Sequence, residues 1–452
     1  MPEPLRILIV IDNFHPLLGG AEHAALESGR ALVRRGHRVD VLTMRKSREW
    51  PQEERIGDIR VVRFDERIPP RPFGRFLYER WNARAARRCL DRQLAGEPYD
   101  VLMLHPIAAA FGVAESRSAA RASVIYCFHA PLGLEHVVAT QSMAPRGGSR
   151  LCRWTASFTA AYAAHCRARQ QRAAIERADA VTCPSDYSRE LLAYTGARLG
   201  DKPVRVIPWG VDAERFRPAA DRAALRARLG WADDDLVLLT VRRMVPRMGL
   251  GELIHGFGVA AARNPRLRLV VGGDGPLRSH LEEISQSVGG RVAFLGLVPP
   301  DDLPAYLQAA DLFLLPSITL EAFGLVTLEA LACGTPVLAT KRCATPEILA
   351  PLDGRLLIPG TDAAAISDAI LGNGLQAATE PGFRSRCRAY VTEHYSWDRT
   401  AAAFEELMHA LRAGTHSASN VSQKASPIGR VSRRGSRENG EKRANREEGS
   451  RG

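Results

Sequence analysis

Short apolar runs alternate along this chain with longer stretches in which apolar residues recur at helical spacing. Runs at 5–11, 38–43, 59–64, 101–104, 123–128, 180–183 and 204–207 predict strands, and stretches at 21–35, 73–93 and 154–177 predict helices between them. A second set of runs follows at 236–241, 267–272, 292–295, 312–315, 336–339 and 356–358. Near-continuous apolar strands alternating with amphipathic helices indicate βαβ units around parallel sheets. Between the two sets stands Ile207-Pro208-Trp209-Gly210-Val211-Asp212, with Arg217-Pro218 soon after. These residues break regular structure as a linker would, and the charged stretch 221–228 then opens the second half.

The pattern divides the chain into an α/β Rossmann-like domain at 1–207 and a second one at 208–390. A C-terminal helix at 391–412 is expected to pack back on the first domain, ahead of a tail at 413–452. A length of 452 residues suits two such cores. No run approaches the roughly 18 apolar residues of a membrane span. The apolar stretch 5–11 has no basic lead and no small-residue cleavage site, so it reads as a buried strand and not as a signal peptide.

Composition changes this picture in two places. The eight cysteines are scattered singly, without a CxxC pair or zinc spacing, which favours a reducing cytoplasm. The formal net charge is +12, but the residues from Thr415 onward carry nine Lys/Arg against four Glu. Such a segment cannot bury enough surface to offset its ordering entropy, and the expectation is a disordered basic tail. It is either a plain solvated extension or a tether to anionic lipid or nucleic acid. The helix carrying Arg80, Arg84, Arg87, Arg88 and Arg92 has the same two readings: a solvated face, or a surface that approaches anionic membrane lipid at the inner face of the cytoplasmic membrane. The stripe Trp154, Phe158, Tyr162, Cys166 repeats every four residues and predicts a core-facing helix side.

In open parallel sheets ligands bind at the carboxyl ends of the strands, and the unusual residues of both halves fall there. Gly19-Gly20 opens a helix directly after the first strand, where bare backbone and free helix amides suit a phosphate. Neither GxGxxG nor the Walker GxxxxGK[ST] is present at that loop, which removes support for a dinucleotide oxidoreductase or a P-loop ATPase. His129 ends the fifth predicted strand, facing the expected ligand side. In the second half, Arg242, Arg243 and Arg247 crowd one strand-exit loop, a grouping that calls for an anion or for carboxylates. Gly272-Gly273-Asp274-Gly275-Pro276 predicts a tight turn that brings backbone near a ligand. Glu321 in a loop and Glu329 two turns into the next helix flank a helix start near Leu325 that suits a diphosphate.

Together these residues resemble a known family. The run from Arg205 to Leu349 is similar to the nucleotide-sugar half of the retaining GT-B glycosyltransferases of family 4. The matching pieces are Pro208-Trp209-Gly210-Val211-Asp212, Val241 to Gly249, Val271 to Pro276, Phe294-Leu295-Gly296, Ala310-Asp311 through Pro316-Ser317, Glu321 to Glu329, Gly334-Thr335-Pro336-Val337 and Thr345-Pro346-Glu347-Ile348-Leu349. Gly19-Gly20-Ala21-Glu22, His129 and Pro184-Ser185 also fit, so the resemblance spans the folded chain.

The resemblance implies two Rossmann-like domains facing each other across a cleft. It also implies transfer of a hexose, with retention, from a UDP- or GDP-sugar to a glycan, lipid-linked or small-molecule acceptor. By the same likeness His129 and Glu321 act at the transferred sugar, and the amides of Phe323 and Gly324 help hold it. Gly20, Arg243, Arg247 and Leu325 meet the diphosphate, Glu329 the ribose, and the backbone at Gly296, Leu297 and Gly273 the nucleotide. No metal or other cofactor is implied, because guanidiniums and helix ends stabilise the leaving diphosphate.

Two features depart from the family pattern. The position of its lysine holds Met248, leaving Arg243 with Arg247, or Arg242 with Arg247, to supply the charge. Its glycine pair before Thr345-Pro346-Glu347 is replaced by Cys343-Ala344. The competing readings are a GT-B sugar-nucleotide epimerase or phosphorylase, and a non-catalytic nucleotide- or nucleic-acid-binding protein. No lysine stands in a motif that suits a phosphorylase cofactor. No recognition motif joining aromatic and basic residues appears, so specific nucleic acid is not expected.

Overall fold

The computed structural model describes residues 3–16, 19–70, 74–94, 98–106, 108–141 and 150–414. Two sheets organise them. The first runs in the order β3 (Glu53–Ile56), β4 (Ile59–Asp65), β2 (Arg38–Arg45), β1 (Arg6–Val10), β5 (Val101–Leu104), β6 (Ser123–Cys127), β7 (Ala180–Cys183) and β8 (Val204–Val206). The second runs β11 (Val292–Gly296), β10 (Leu267–Gly272), β9 (Leu236–Val241), β12 (Leu312–Leu315), β13 (Val337–Thr340) and β14 (Leu357–Ile358). Every pairing is parallel except β3 with β4. The central strands β5, β7, β12 and β13 are buried along their whole length, because helices cover both faces of each sheet.

The edge strand β3 carries Glu53, Glu54 and Arg55 and was not among the expected strands. Its charge conceals it from a search for apolar runs and also protects an open sheet edge. Arg63 on β4 lies buried beneath it, bonded to the carboxylate of Glu54 and the carbonyls of Pro51 (3.1 Å) and His15 (2.9 Å).

The chain crosses between lobes twice, side by side. The outward crossing passes through Pro208 to Val211 and the return through Tyr395 and Ser396. Val211 N donates to the Tyr395 carbonyl (3.0 Å), and Thr400 Oγ1 donates to the Pro208 carbonyl (2.8 Å). The helix Phe383–His394 packs on the second lobe and runs unbroken across position 390. The expected boundary at 390 therefore moves to the turn at Tyr395, where the helix ends. The last helix, Trp397–Arg412, lies on the first-lobe helix Gly20–Arg34, joined by Arg34 to Asp398 (2.9 Å) and by Arg35 and His37 to Glu405. The expected tail from Thr415 onward lies outside the described residues, as do the side chains of Trp154 and Phe158. Tyr162 of the same stripe is 40% exposed, so at that position the stripe is surface and not core.

Gly210 is where the two crossings meet. A Cβ there would stand 2.2 Å from the Trp397 nitrogen. Gly210→Ala should lower stability by about 3 kcal/mol through backbone overlap, read as a lower denaturant midpoint with an unchanged slope. An unaltered midpoint would mean that the crossings do not touch.

Candidate active site in the cleft between the lobes

The second lobe meets the first through the loop that joins β12 to the helix Leu325–Ala332. Ser185 and Ser188 of the first lobe donate to the Ala322 carbonyl (2.6 and 3.0 Å), and Leu320 N donates to the Tyr187 hydroxyl (3.3 Å). Glu347 returns the contact, its carboxylate accepting from Asp186 N (2.8 Å) and Tyr187 N (2.7 Å) at the start of the helix Asp186–Leu191. Hydrogen bonds of one lobe thus hold the loop of the other, and the helix start after Gly324 opens at the lobe boundary.

Gly324 has φ 86°, a left-handed conformation that glycine adopts without strain, and it turns the chain from loop to helix. The amides of Phe323, Gly324 and Leu325 have no partner among the described residues, as expected of a helix start. Leu320 and Cys343 hold φ of 57° and 59° without being glycine. Cys343 stands where the family pattern has glycine, and the conformation explains that preference.

The three arginines divide. Arg242 is buried, donating from Nη1 to Ser317 Oγ (2.8 Å) and from Nη2 to the Glu321 carboxylate. Ser317 Oγ also donates to Glu321 Oε2 (3.1 Å). Burial alone would raise the Glu321 pKa, but the guanidiniums of Arg242 and Arg247 outweigh it and hold the carboxyl below its ordinary range. Arg243 is exposed, and Arg247 uses Nη1 on the Leu320 carbonyl (3.0 Å). Arg243 and Arg247 are thus the two left open to an anion. Met248, at the lysine position, is buried in the core beneath the helix Leu250–Arg263 and offers no charge there.

Glu329 is half-buried, and its carboxylate has no hydrogen-bond partner among the described residues. Burial pushes its carboxyl up to about 7, and the field of Arg215 offsets this only in part. Arg215 also acts on His23, one turn into the helix that Gly20 begins. Arg215, held by the Pro300 carbonyl (2.7 Å), was not anticipated; its only sequence signal is its place three residues after Asp212.

Gly273 has φ 114°, and a Cβ there would stand 1.9 Å from the Arg242 carbonyl oxygen. Its amide donates to the Gly296 carbonyl (2.6 Å), which joins the two backbone segments, while Leu297 is 77% exposed beside them.

In the first lobe His129 is paired with a second histidine that sequence reasoning missed. His105 Nδ1 lies 3.0 Å from His129 Nε2, and the rings are 5.2 Å apart. Burial lowers His129 to about 4 and, with His129 alongside, holds His105 well below its ordinary value. Both are neutral at pH 7, so one ring nitrogen of the contact donates and the other accepts. His105 directly follows β5, and His129 comes two residues after β6, so the strand-end rule that found one could have found both. An aromatic series then crosses the cleft from His129 to Trp209 (5.4 Å) and from Trp209 to Phe323 (5.5 Å).

Glu329 makes stability depend on pH. Its folded pKa, about 7, exceeds the ordinary 4.5, so the folded state holds the proton more tightly. That stability is present below the unfolded value and is lost as pH rises through about 7. Glu329→Gln cannot ionise, so its melting temperature should gain on wild type between about pH 5 and about pH 8. A difference that stays constant over that interval would contradict the burial of the carboxyl.

Comparison with known proteins follows the same two lobes. Residues 18–215 match the model of Glycosyltransferase Family 4, and residues 221–394 that of Glycosyl transferases group 1. The chain is 32% identical over 229 residues to a GDP-mannose-dependent monoacylated alpha-(1-6)-phosphatidylinositol monomannoside mannosyltransferase of Corynebacterium glutamicum, covering 49% of this chain and 59% of that one. It is 34% identical over 232 residues to a D-inositol 3-phosphate glycosyltransferase of Streptomyces bingchenggensis, covering 48% of this chain and 50% of the other. These matches span less than two thirds of each relative.

Among solved structures, a sucrose-phosphate synthase from Thermosynechococcus elongatus superposes with a TM-score of 0.72 at 24% identity, over 91% of this chain and 100% of that one. Anabaena HepE in complex with UDP and glucose gives 0.65 at 21% identity, over 90% and 100%. The fold is the GT-B arrangement of two Rossmann-like domains. With the two sequence models matched in succession, one to each lobe, the chain belongs to the family 4, group 1 glycosyltransferases.

Proposed function

We propose that the protein transfers a hexose, with retention, from a nucleotide diphosphate sugar to a glycan or lipid-linked acceptor. The observation that carries this reading is the loop from Glu321 to Leu325, clasped between the lobes with free amides, an ionised carboxylate on one side and a protonatable one on the other. In this reading Arg243 and Arg247, with the amides at Gly324 and Leu325 and the Gly20 turn, meet the diphosphate. Charge that develops on the leaving group falls on groups already aimed at it, so little reorganisation is needed during the step. The same charge makes a resident metal ion unnecessary.

Glu321, kept ionised by two guanidiniums, accepts hydrogen bonds from sugar hydroxyls. Glu329 lies a further turn along the helix, at the ribose, and Gly273, Gly296 and Leu297 border the base. Neutral His129 faces the sugar from the first lobe, with Phe323 and Trp209 behind it. Closure of the lobes excludes water, which would otherwise compete as acceptor.

The named activities of the relatives make GDP-mannose the first donor to test, with UDP-glucose second. We place the reaction in the cytoplasm, at the inner face of the membrane. That placement draws support from free buried thiols such as Cys127, Cys183 and Cys333, and from a first-lobe helix whose surface carries Arg80, Arg84, Arg88 and a 36% exposed Trp81.

Incubation with labelled GDP-mannose or UDP-glucose should yield transfer, or slow donor hydrolysis without acceptor. Arg247→Ala and Glu321→Gln should each lower that rate by about 10²-fold, the scale of losing one aligned charge. Both should also shrink the rise in melting temperature that the donor produces in wild type. Full donor shifts in both variants would overturn the assignment.

A further inference from the structure

The first lobe holds a cavity of about 940 Å³ outside the candidate active site described above. It lies between the helices Gly74–Gln93 and Arg150–Arg177, with Phe111 and Gly112 also lining it. Gly112 permits the close approach there, since a Cβ would stand 1.9 Å from the Ala83 carbonyl oxygen.

The charges of its walls do not cancel. Arg167 is satisfied by Glu79 (2.9 Å) and His136 (2.9 Å), and Arg87 faces Asp91 (3.8 Å). Glu115, the other carboxylate of the lining, is taken by Arg177 (3.3 Å). Arg80, Arg84 and Arg169 also line the cavity and have no carboxylate partner among the described residues. Guanidiniums that line a concavity without carboxylate partners favour a multiply charged oxyanion.

A second observation is independent of charge. Gln170 lines the cavity, is 8% exposed, and its Oε1 is buried without a hydrogen-bond partner among the described residues. A buried amide oxygen left open costs stability unless something donates to it. Its neighbour Gln171 is satisfied, donating to the Ala130 carbonyl (2.9 Å) and accepting from Leu132 N (2.9 Å). Gln171 thereby fixes the loop that carries His129, so the cavity begins one residue from the support of the proposed sugar site.

We propose that this cavity is a binding site for a phosphorylated polyol, with the phosphate on Arg80, Arg84 and Arg169 and a hydroxyl donating to Gln170 Oε1. Calling that ligand the acceptor rests on the transferase reading; the binding itself does not.

The test is titration calorimetry on the full chain, without donor, using myo-inositol 1-phosphate, inorganic phosphate, and phosphatidylcholine vesicles with and without phosphatidylinositol. Saturable binding of the soluble ester assigns a soluble ligand. Binding only to the phosphatidylinositol vesicles, reduced by the variants below, assigns a lipid headgroup. R84Q/R169Q should weaken binding about 100-fold, tenfold for each guanidinium removed. Q170L should weaken the polyol ester about tenfold yet leave inorganic phosphate bound as in wild type. Both variants should keep the wild-type thermal shift with GDP, which certifies fold and donor site. Absence of binding to either source, or variants that bind as wild type does, would overturn the proposal. Binding here without transfer from any donor would instead overturn the transferase reading alone.

Discussion

The arrangement depends on a reciprocal clasp between the lobes. The turn from Ser185 to Ser188 offers hydroxyls to the Ala322 carbonyl, while Glu347 offers its carboxylate to the free amides that begin the helix after Ser185. Each lobe satisfies polar groups that the other cannot, at an interface where unsatisfied groups would be costly. The loop that carries Glu321, Phe323 and Gly324 is therefore positioned by both lobes at once. Its strained neighbours Leu320 and Cys343 persist because the contacts around them over-determine their backbone.

Within that frame, neighbours decide what each acid and base can do. Glu321 and Glu329 are the same residue type eight positions apart, yet two guanidiniums keep the first ionised while burial lets the second hold its proton near neutrality. His105 and His129 are kept uncharged by burial against each other, while Arg243 and Arg247 stand on the opposite lobe. This division suits a ligand with a polyanion at one end and a neutral polyol at the other. Arg242 shows the limit of counting charges: it stands among the anion-binding candidates of the sequence but is buried and consumed in the pair that tunes Glu321.

Strand-to-helix alternation was legible because the buried strands are continuous apolar runs, and all but one of the fourteen strands among the described residues coincide with such runs to within a residue or two. The exception, β3, escaped because an edge strand needs charge more than apolar residues. The helix Phe383–His394 concealed the end of the second lobe because no proline or polar cluster marks position 390.

The sequence by itself determined the two-lobed class, the linker at Pro208 to Asp212 and the strand ends where chemistry collects, since these follow from local periodicity and from residues that only special backbone tolerates. The tertiary structure alone decided that Arg242 serves Glu321, that His105 partners His129, that the field of Arg215 reaches Glu329, and that three arginines and Gln170 line one cavity. Those are pairings between residues far apart in the chain. Hydrogen-bond distance and desolvation, which set their protonation and their freedom to bind, exist only once the lobes are packed.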